Sequence, residues 1–332
     1  MKLWGKSIIN KLKKILVIQT AFIGDVILAT ALLEKLHQYF PSHSIDILVR
    51  QGNEALLKNH PFINHVLVWK KKVDKYKNLF SLAKKIRHTK YDLVINLQRH
   101  AGSGFLTWRS NGRQRVGFKA NPLSFFYTEK YPHQIGNGKH EVERNQLLIE
   151  KITDAVAIKP KLYPVSSNYS KIDSLQLKNN YIVIAPSSVW FTKQIPKEKV
   201  IELIKKQDNN LQICLIGAPT DFEYCESIIS ECNHINIINL TKQLSLLDSA
   251  ALIEKAQMNY VNDSAPLHIA SAMNAPVTAF FCSTLPSFGF GPLSDDSKIV
   301  QNTNSLECRP CGIHGHKECP KGHFKCGLEI QL

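Results

Sequence analysis

Apolar runs of strand length alternate with amphipathic stretches of helical length along nearly the whole chain, and this alternation restricts the fold more than any other feature. In the first half the runs are KILVIQ, SIDILV, HVLVW, YDLVINL and QRVGF, with stretches such as ATALLEKLHQYF and KNLFSLAKKIRH between them. The polar segment KPKLYPVSSNYSKIDSLQLKNN interrupts the pattern, which restarts with YIVIAPS, LQICLIG, INIINL, MNYVND and PVTAFF. Strand followed by helix, repeated, predicts a parallel sheet wound on both faces, and the restart predicts two of them. The expected architecture is therefore α/β, with two doubly wound, Rossmann-like domains at residues 1–165 and 166–332 facing a central cleft. A length of 332 residues suits two domains. Ligands of such sheets lie beyond the carboxyl ends of the strands, and candidate chemistry is sought there.

Charge divides as sharply as pattern does. Residues 1–165 hold 28 Lys and Arg against 11 Asp and Glu, and residues 166–332 hold 14 against 16, so the whole net charge of +15 comes from the first half. A nucleic acid, an anionic membrane surface or an acidic substrate would each account for it. No apolar run reaches the roughly 18 residues needed to span a bilayer. The leader MKLWGKSIINKLKK has neither the long apolar stretch nor the small-residue cleavage site of a signal peptide. At helical spacing its Leu3, Trp4, Ile8, Ile9 and Leu12 gather on one side among lysines, as in a short interfacial helix, with a disordered basic leader as the alternative. Eight cysteines without a secretion signal point to reduced thiols and a cytoplasmic enzyme.

Three stretches carry candidate chemistry. In AFIGDVILATALLEKL, Asp25 follows a strand and enters a helix, where it serves either as a helix cap or as a base at the sheet edge. In IAPSSVWFTKQIPKEKV, Ser187 and Ser188 offer hydroxyls and Lys193 a point charge, a set that suits a diphosphate. In YVNDSAPLHIASAMNAPVTAFF, a strand ends at Asn262 and Asp263 and a helix begins at Ser264, its first-turn N–H groups open to an anion. Asp263 there caps the helix or grips a sugar hydroxyl, and His268, alone on an apolar helix, is an anchor. No Walker loop and no dinucleotide fingerprint is present. The tail adds Cys308, Cys311, Cys319 and Cys326 in a C-x2-C-x7-C-x6-C pattern. A structural tetrahedral zinc site is one reading of it and free thiols the other.

Taken in order, KILVIQTAFIGDVILATALLEKLHQYFP, YDLVINLQ, HEVERNQLLIE, IAPSSVWFTKQIP, CLIGAPTDFEYCESI and VNDSAPLHIASAMNAPVTAFF resemble the heptosyltransferase family, glycosyltransferase family nine. The resemblance implies a GT-B fold, ADP-heptose as donor, an anionic lipopolysaccharide-core glycolipid as acceptor at the cytoplasmic face of the inner membrane, and no cofactor for catalysis. It implies that Asp25 is the catalytic base, that Ser187, Ser188 and Lys193 contact phosphate, and that Asp221 approaches the ribose. Asp263, Ser264 and His268 match the family's D-[ST]-G-x-x-H stretch, with Ala265 replacing the usual glycine. Arg99, Arg109 and Arg113 are candidate acceptor contacts in the basic half, and the chain ends short of a family C-terminal helix. Two competing readings are a basic, zinc-stapled nucleic-acid-binding protein and a non-catalytic nucleotide-sugar binder. The first leaves both sheet-edge motifs unexplained and lacks an RNA-binding strand of basic and aromatic residues, so no nucleic acid is expected. The second leaves Gly24–Asp25 without a purpose.

Overall fold

A computed structural model describes residues 12–72, 74–178, 180–232 and 234–332, so most of the basic leader lies outside the described residues. The chain forms two compact units. One runs to Ile135 and resumes at Glu141–Tyr163; Gly136–His140 and Pro164–Leu332 form the other.

The first unit is built on β1 (Lys14–Ile18), β2 (Ser44–Arg50), β3 (Ile63–Trp69), β4 (Leu93–Asn96), β5 (Gln114–Phe118) and β6 (Glu129–Tyr131). Among the described residues these form one parallel sheet in the order β3-β2-β1-β4-β5-β6. Helices α1 (Ile23–Tyr39), α2 (Lys75–Thr89), α3 (Ala101–Arg109) and α4 (Glu141–Gln146) complete it. Helices on both faces bury the central strands twice over, which explains why KILVI and SIDILVR read as near-continuous apolar runs. Strand order reverses between β1 and β4, the switch point where open sheets leave a crevice for ligands. On α1, Lys35 is buried, and its ammonium reaches the Asp154 carboxylate and the carbonyls of Asp154 and Val156, each at 2.7 Å. That grip ties the return segment of the unit to the helix that carries Asp25.

The second unit repeats the plan. Its strands are β7 (Tyr181–Ala185), β8 (Gln212–Leu215), β9 (Ile237–Asn239), β10 (Met258–Asn262), β11 (Val277–Phe281) and β12 (Ser297–Gln301), in the order β12-β11-β10-β7-β8-β9. Helices α5 (Ser166–Ser174), α6 (Lys197–Lys205), α7 (Phe222–Glu231), α8 (Leu246–Lys255), α9 (Ala265–Met273) and the short α10 (Lys325–Leu328) join it. Helix α8 starts with a reciprocal cap: Ser245 Oγ accepts from Asp248 N–H at 3.2 Å, and Asp248 Oδ2 accepts from Ser245 N–H at 2.9 Å. Two of the twelve strands were not legible in the sequence. The short EKY of β6 and the polar SKIVQ of β12 carry no apolar run; both are sheet edges, where a partly solvated strand can do without one, although the edge strands β3 and β9 retain theirs.

A half-buried histidine makes the first unit sensitive to acid. His60 packs edge-on against Phe62 and Tyr163, both ring nitrogens lack a hydrogen-bond partner, and burial, with His37 nearby, holds its pKa down at about 4. The folded state therefore keeps His60 neutral while the unfolded chain protonates below about pH 6.5. Its contribution to stability is complete above that pH and is lost as pH falls toward 4. In urea unfolding, the wild type is expected to lose about 1 kcal/mol more than His60→Phe between pH 6.5 and 5. Equal losses would mean that His60 titrates as in water.

Candidate functional site

Between β1 and α1 the turn Gln19–Phe22 crosses the carboxyl edge of the first sheet at its switch point. Asn53 Nδ2 donates to Ala21 O at 3.0 Å, and Lys71 Nζ donates to Thr20 O at 2.7 Å and to the Thr20 hydroxyl at 3.2 Å. Gln98, just past β4, donates to the Gln19 side-chain carbonyl across the switch. The N-cap of α1 is Phe22, so Asp25 does not occupy the cap position. Asp25 is the third helical residue, partly buried, where a carboxylate is favoured by the first-turn N–H dipoles.

Two basic residues that no motif marked share this edge. Arg50 ends β2 and stacks over the Phe22 ring at 4.7 Å. Lys71 lies over the Trp69 ring at 4.6 Å, and burial, with Arg50 and Lys75 nearby, lowers its pKa to about 8. Of the three arginines singled out in the sequence, Arg99 follows β4 at this carboxyl edge. Arg109 ends α3, after the helix has run back across the sheet, and Arg113 immediately precedes β5 at the amino edge. The fold therefore places Arg99 with Asp25 and separates Arg109 and Arg113 from both.

At the switch point of the second sheet, the wholly buried Asn262 organises the loop after β7. Its Nδ2 lies 3.1, 3.0 and 3.2 Å from the carbonyls of Ala185, Pro186 and Ser187, and its Oδ1 accepts from Ile195 N–H at 2.8 Å. This pins both ends of the Ser187–Lys193 loop. Ser187 Oγ donates to Asp221 Oδ2 at 2.6 Å, which also accepts from Ala218 N–H at 2.7 Å. Ser188 N–H donates to Gln194 Oε1 at 3.2 Å. Lys193 Nζ, its side chain 15% exposed, pairs at 2.7 Å with Asp263 Oδ2, which accepts from the Thr284 hydroxyl at 2.6 Å as well. Ser264 is the N-cap of α9 in extended backbone, its hydroxyl making no cap bond. His268 lies one turn in, buried, its Nδ1 without a partner and its pKa pushed down to about 3 by burial. It is a neutral core group. Ser187, Ser188, Lys193, Asp221, Asp263 and Ser264 thus gather at one sheet edge.

The cysteine-rich tail folds onto the same place. His316 N–H donates to Thr192 Oγ1 at 2.8 Å, and Thr192 N–H donates to His316 O at 3.1 Å. Gly315, at φ +76°, packs so tightly that a Cβ there would sit 2.9 Å from Cγ of Lys193. Arg309 Nη2 reaches Phe281 O at 3.2 Å, Thr284 O at 2.9 Å and Gln301 Oε1 at 2.7 Å. Tail residues therefore brace both partners of the Lys193–Asp263 pair. Of the two readings of the tail, the zinc site finds no support: among the described residues no three His, Cys, Asp or Glu side chains are placed to hold a metal ion. Cys326 is buried with Cys282, Phe324 and Ile330, and Cys311 Sγ donates to Cys308 O at 2.8 Å, while Cys319 Sγ accepts from Phe324 N–H at 3.4 Å. Cys319 packs against the same apolar cluster as Cys326, and all eight cysteines are free.

Comparison with known proteins gives the same outline. The model of glycosyltransferase family 9 (heptosyltransferase) matches residues 79–323. Lipopolysaccharide heptosyltransferase 3 of Escherichia coli K12 is 29% identical over 275 residues, covering 79% of this chain and 80% of that protein. Among solved structures, E. coli ADP-heptose lps heptosyltransferase II superposes with a TM-score of 0.77 at 21% identity, over 90% of this chain and 95% of its own. An E. coli heptosyltransferase with ADP-2-deoxy-2-fluoro heptose superposes with a TM-score of 0.68 at 21% identity, over 86% and 92%. With the family model matching about three quarters of its length, the chain belongs to glycosyltransferase family 9, the heptosyltransferases.

Proposed function

We propose that this glycosyltransferase moves heptose, with inversion, from ADP-heptose to the inner core of a lipopolysaccharide. The observation that carries the reading is the Lys193–Asp263 pair at the N-terminus of α9, flanked by Ser187 and Ser188. A partly exposed ammonium and two hydroxyls at one sheet edge, beside the start of a helix, suit a diphosphate. The names of the relatives support the sugar and acceptor class, and the ADP-sugar complex of an E. coli relative supports the nucleotide.

In the proposed reaction Asp25 takes the proton of the acceptor hydroxyl as that oxygen attacks the anomeric carbon. The bond from that carbon to the diphosphate oxygen breaks, and negative charge accumulates on the departing ADP. Lys193, with the positive end of the α9 dipole, stabilises that charge, so in this reading catalysis needs no metal cofactor. Asp221 lies where the ribose would be read. Ala265, at the first position of α9, brings a methyl group to the diphosphate edge. Arg50, Lys71 and Arg99 at the first switch point are suited to an anionic glycolipid acceptor. The basic first unit would meet that acceptor at the cytoplasmic face of the inner membrane.

A thermal-shift screen of nucleotide sugars tests the donor. ADP-heptose should stabilise the protein most, and an equal response to UDP and ADP sugars would overturn the assignment. Asp25→Asn should lower turnover by about 10²- to 10⁴-fold with donor affinity retained, as expected for loss of a general base; a variant that still turns over well would make Asp25 a helix-start residue only. Lys193→Ala should weaken ADP binding by about 2–3 kcal/mol, the range of a charge-assisted contact, measured by calorimetry. Unchanged affinity would remove Lys193 from the site.

The tail is tested with a matched pair of glycines. Gly315→Ala and Gly322→Ala both place a side chain at positive φ, +76° and +72°, but at Gly322 nothing lies within 4 Å of the new Cβ. If the tail positions Lys193, Gly315→Ala should raise the donor KM several-fold and Gly322→Ala should not. Equal effects would mean that backbone strain alone acts.

A further inference from the structure

On the face of the first unit formed by α2 and α3, large aromatic side chains stand in the open. Tyr76 is 68% exposed, Phe80 61%, Phe125 64% and Trp108 37%. They form a connected ridge. Phe80 meets Phe105 edge-on at 5.5 Å, Phe105 meets Trp108 at 6.0 Å, Trp108 stacks on Phe126 at 4.5 Å, and Phe126 touches Phe125 at 4.2 Å. Tyr76 lies one helical turn before Phe80 on the same side of α2. A contiguous exposed apolar patch of this kind is unusual on a soluble surface and marks a contact.

The charge around the ridge is strongly basic. Residues 74–126 contain eleven Lys and Arg and two acids, Asp74 at the N-cap of α2 and Asp92. The Asp92 carboxylate is engaged by the backbone N–H groups of Lys13 and Lys14 at 2.9 and 3.1 Å, at the amino edge of the sheet. On α2 the buried residues Leu79, Leu82, Ala83 and Ile86 face the core. Lys77, Lys84, Lys85 and Arg87 occupy the exposed arc next to Phe80. Arg109, which the fold places away from Asp25, has its guanidinium 5.5 Å from the Trp108 ring. Aromatic rings beside long basic side chains are what a protein lying on an anionic bilayer presents: rings at acyl-chain depth, cations at the phosphates. An acidic protein partner would satisfy the lysines but gives no reason for the row of exposed rings beside them.

We propose that the ridge from Tyr76 and Phe80 to Phe125, with the lysines of α2, is the surface by which this enzyme lies on an anionic lipid bilayer. The proposal rests on the acceptor being a membrane glycolipid, and it assigns the contact to the folded face of α2 and α3 rather than to the basic leader. Binding there needs no donor, so it is measured apart from transfer.

The experiment is co-sedimentation of the full chain with vesicles of phosphatidylethanolamine and phosphatidylglycerol, at low and high salt, against vesicles of phosphatidylcholine alone. Wild type should sediment with the anionic vesicles, less so at high salt, and stay in solution with the neutral ones. Phe80→Ser with Phe125→Ser should weaken anionic binding at least tenfold, and Lys84→Glu with Lys85→Glu should abolish the salt-sensitive part. The thermal shift given by ADP should be the same in both variants as in wild type, which verifies folding. Variants that sediment like wild type, binding lost only on deletion of residues 1–13, or a dimer in solution broken by the phenylalanine changes would each overturn the proposal. Vesicle binding by a protein that ignores ADP-heptose would leave the surface standing and defeat the donor assignment instead.

Discussion

The carboxamide of Asn262 is the contact on which the second unit's site depends. A strand end at a switch point leaves the loop of the neighbouring strand with unpaired carbonyls, and burying these without donors costs on the order of 1–3 kcal/mol each. Asn262 supplies an NH2 group to three such carbonyls and accepts an N–H from Ile195 beyond the loop. With both ends held, Ser187, Ser188 and Lys193 are brought beside Asp263, the very next residue after Asn262. Sequence neighbours on one strand and loop residues some seventy positions earlier thus meet at one edge. The first unit uses amides similarly. Asn96 donates to the Tyr127 hydroxyl at 2.7 Å and accepts Gln98 N–H at 2.9 Å, and Gln98 reaches across to Gln19.

A side-chain amide suits this position because it both donates and accepts without carrying charge. A carboxylate would repel the carbonyls, and an apolar residue would leave them bare. The charged pair sits at the rim, where Lys193 is partly exposed. Thr284 also donates to Asp263, so the buried carboxylate has a second partner besides the lysine.

The tail shows how a pattern in sequence can point to the wrong atoms. Four cysteines opening with a C-x2-C pair suggest a metal, yet the contacts that matter at this edge come from Arg309, Gly315 and His316 in between. Two of these act through backbone atoms or through the lack of a side chain, and Arg309 grips carbonyls. Such roles leave no trace in residue type. The thiols are directed by packing instead: Cys326 sits with Phe324 and Ile330 against Cys282, at the end of β11. The basic half behaved in the same way. Its charge was plain in the composition, but Arg109 and Arg113 were separated from Asp25 because α3 returns across the sheet before β5 begins.

The sequence by itself determined the class of fold, the number of sheets, ten of the twelve strands and the three stretches that meet at switch points. Those features rest on periodicity and on local turn chemistry, which are short-range and are written in consecutive residues. Strands β6 and β12 escaped because the short EKY and the polar SKIVQ carry no apolar run, unlike the other two edges, β3 and β9. Only the tertiary structure decided which cations share an edge with Asp25, that His268 is a neutral core group, that the tail braces Lys193, and that the rings of α2, α3 and the turn after β5 align into one ridge. Each of these depends on where a helix ends relative to a distant strand, and that distance is set by packing between segments far apart in the chain.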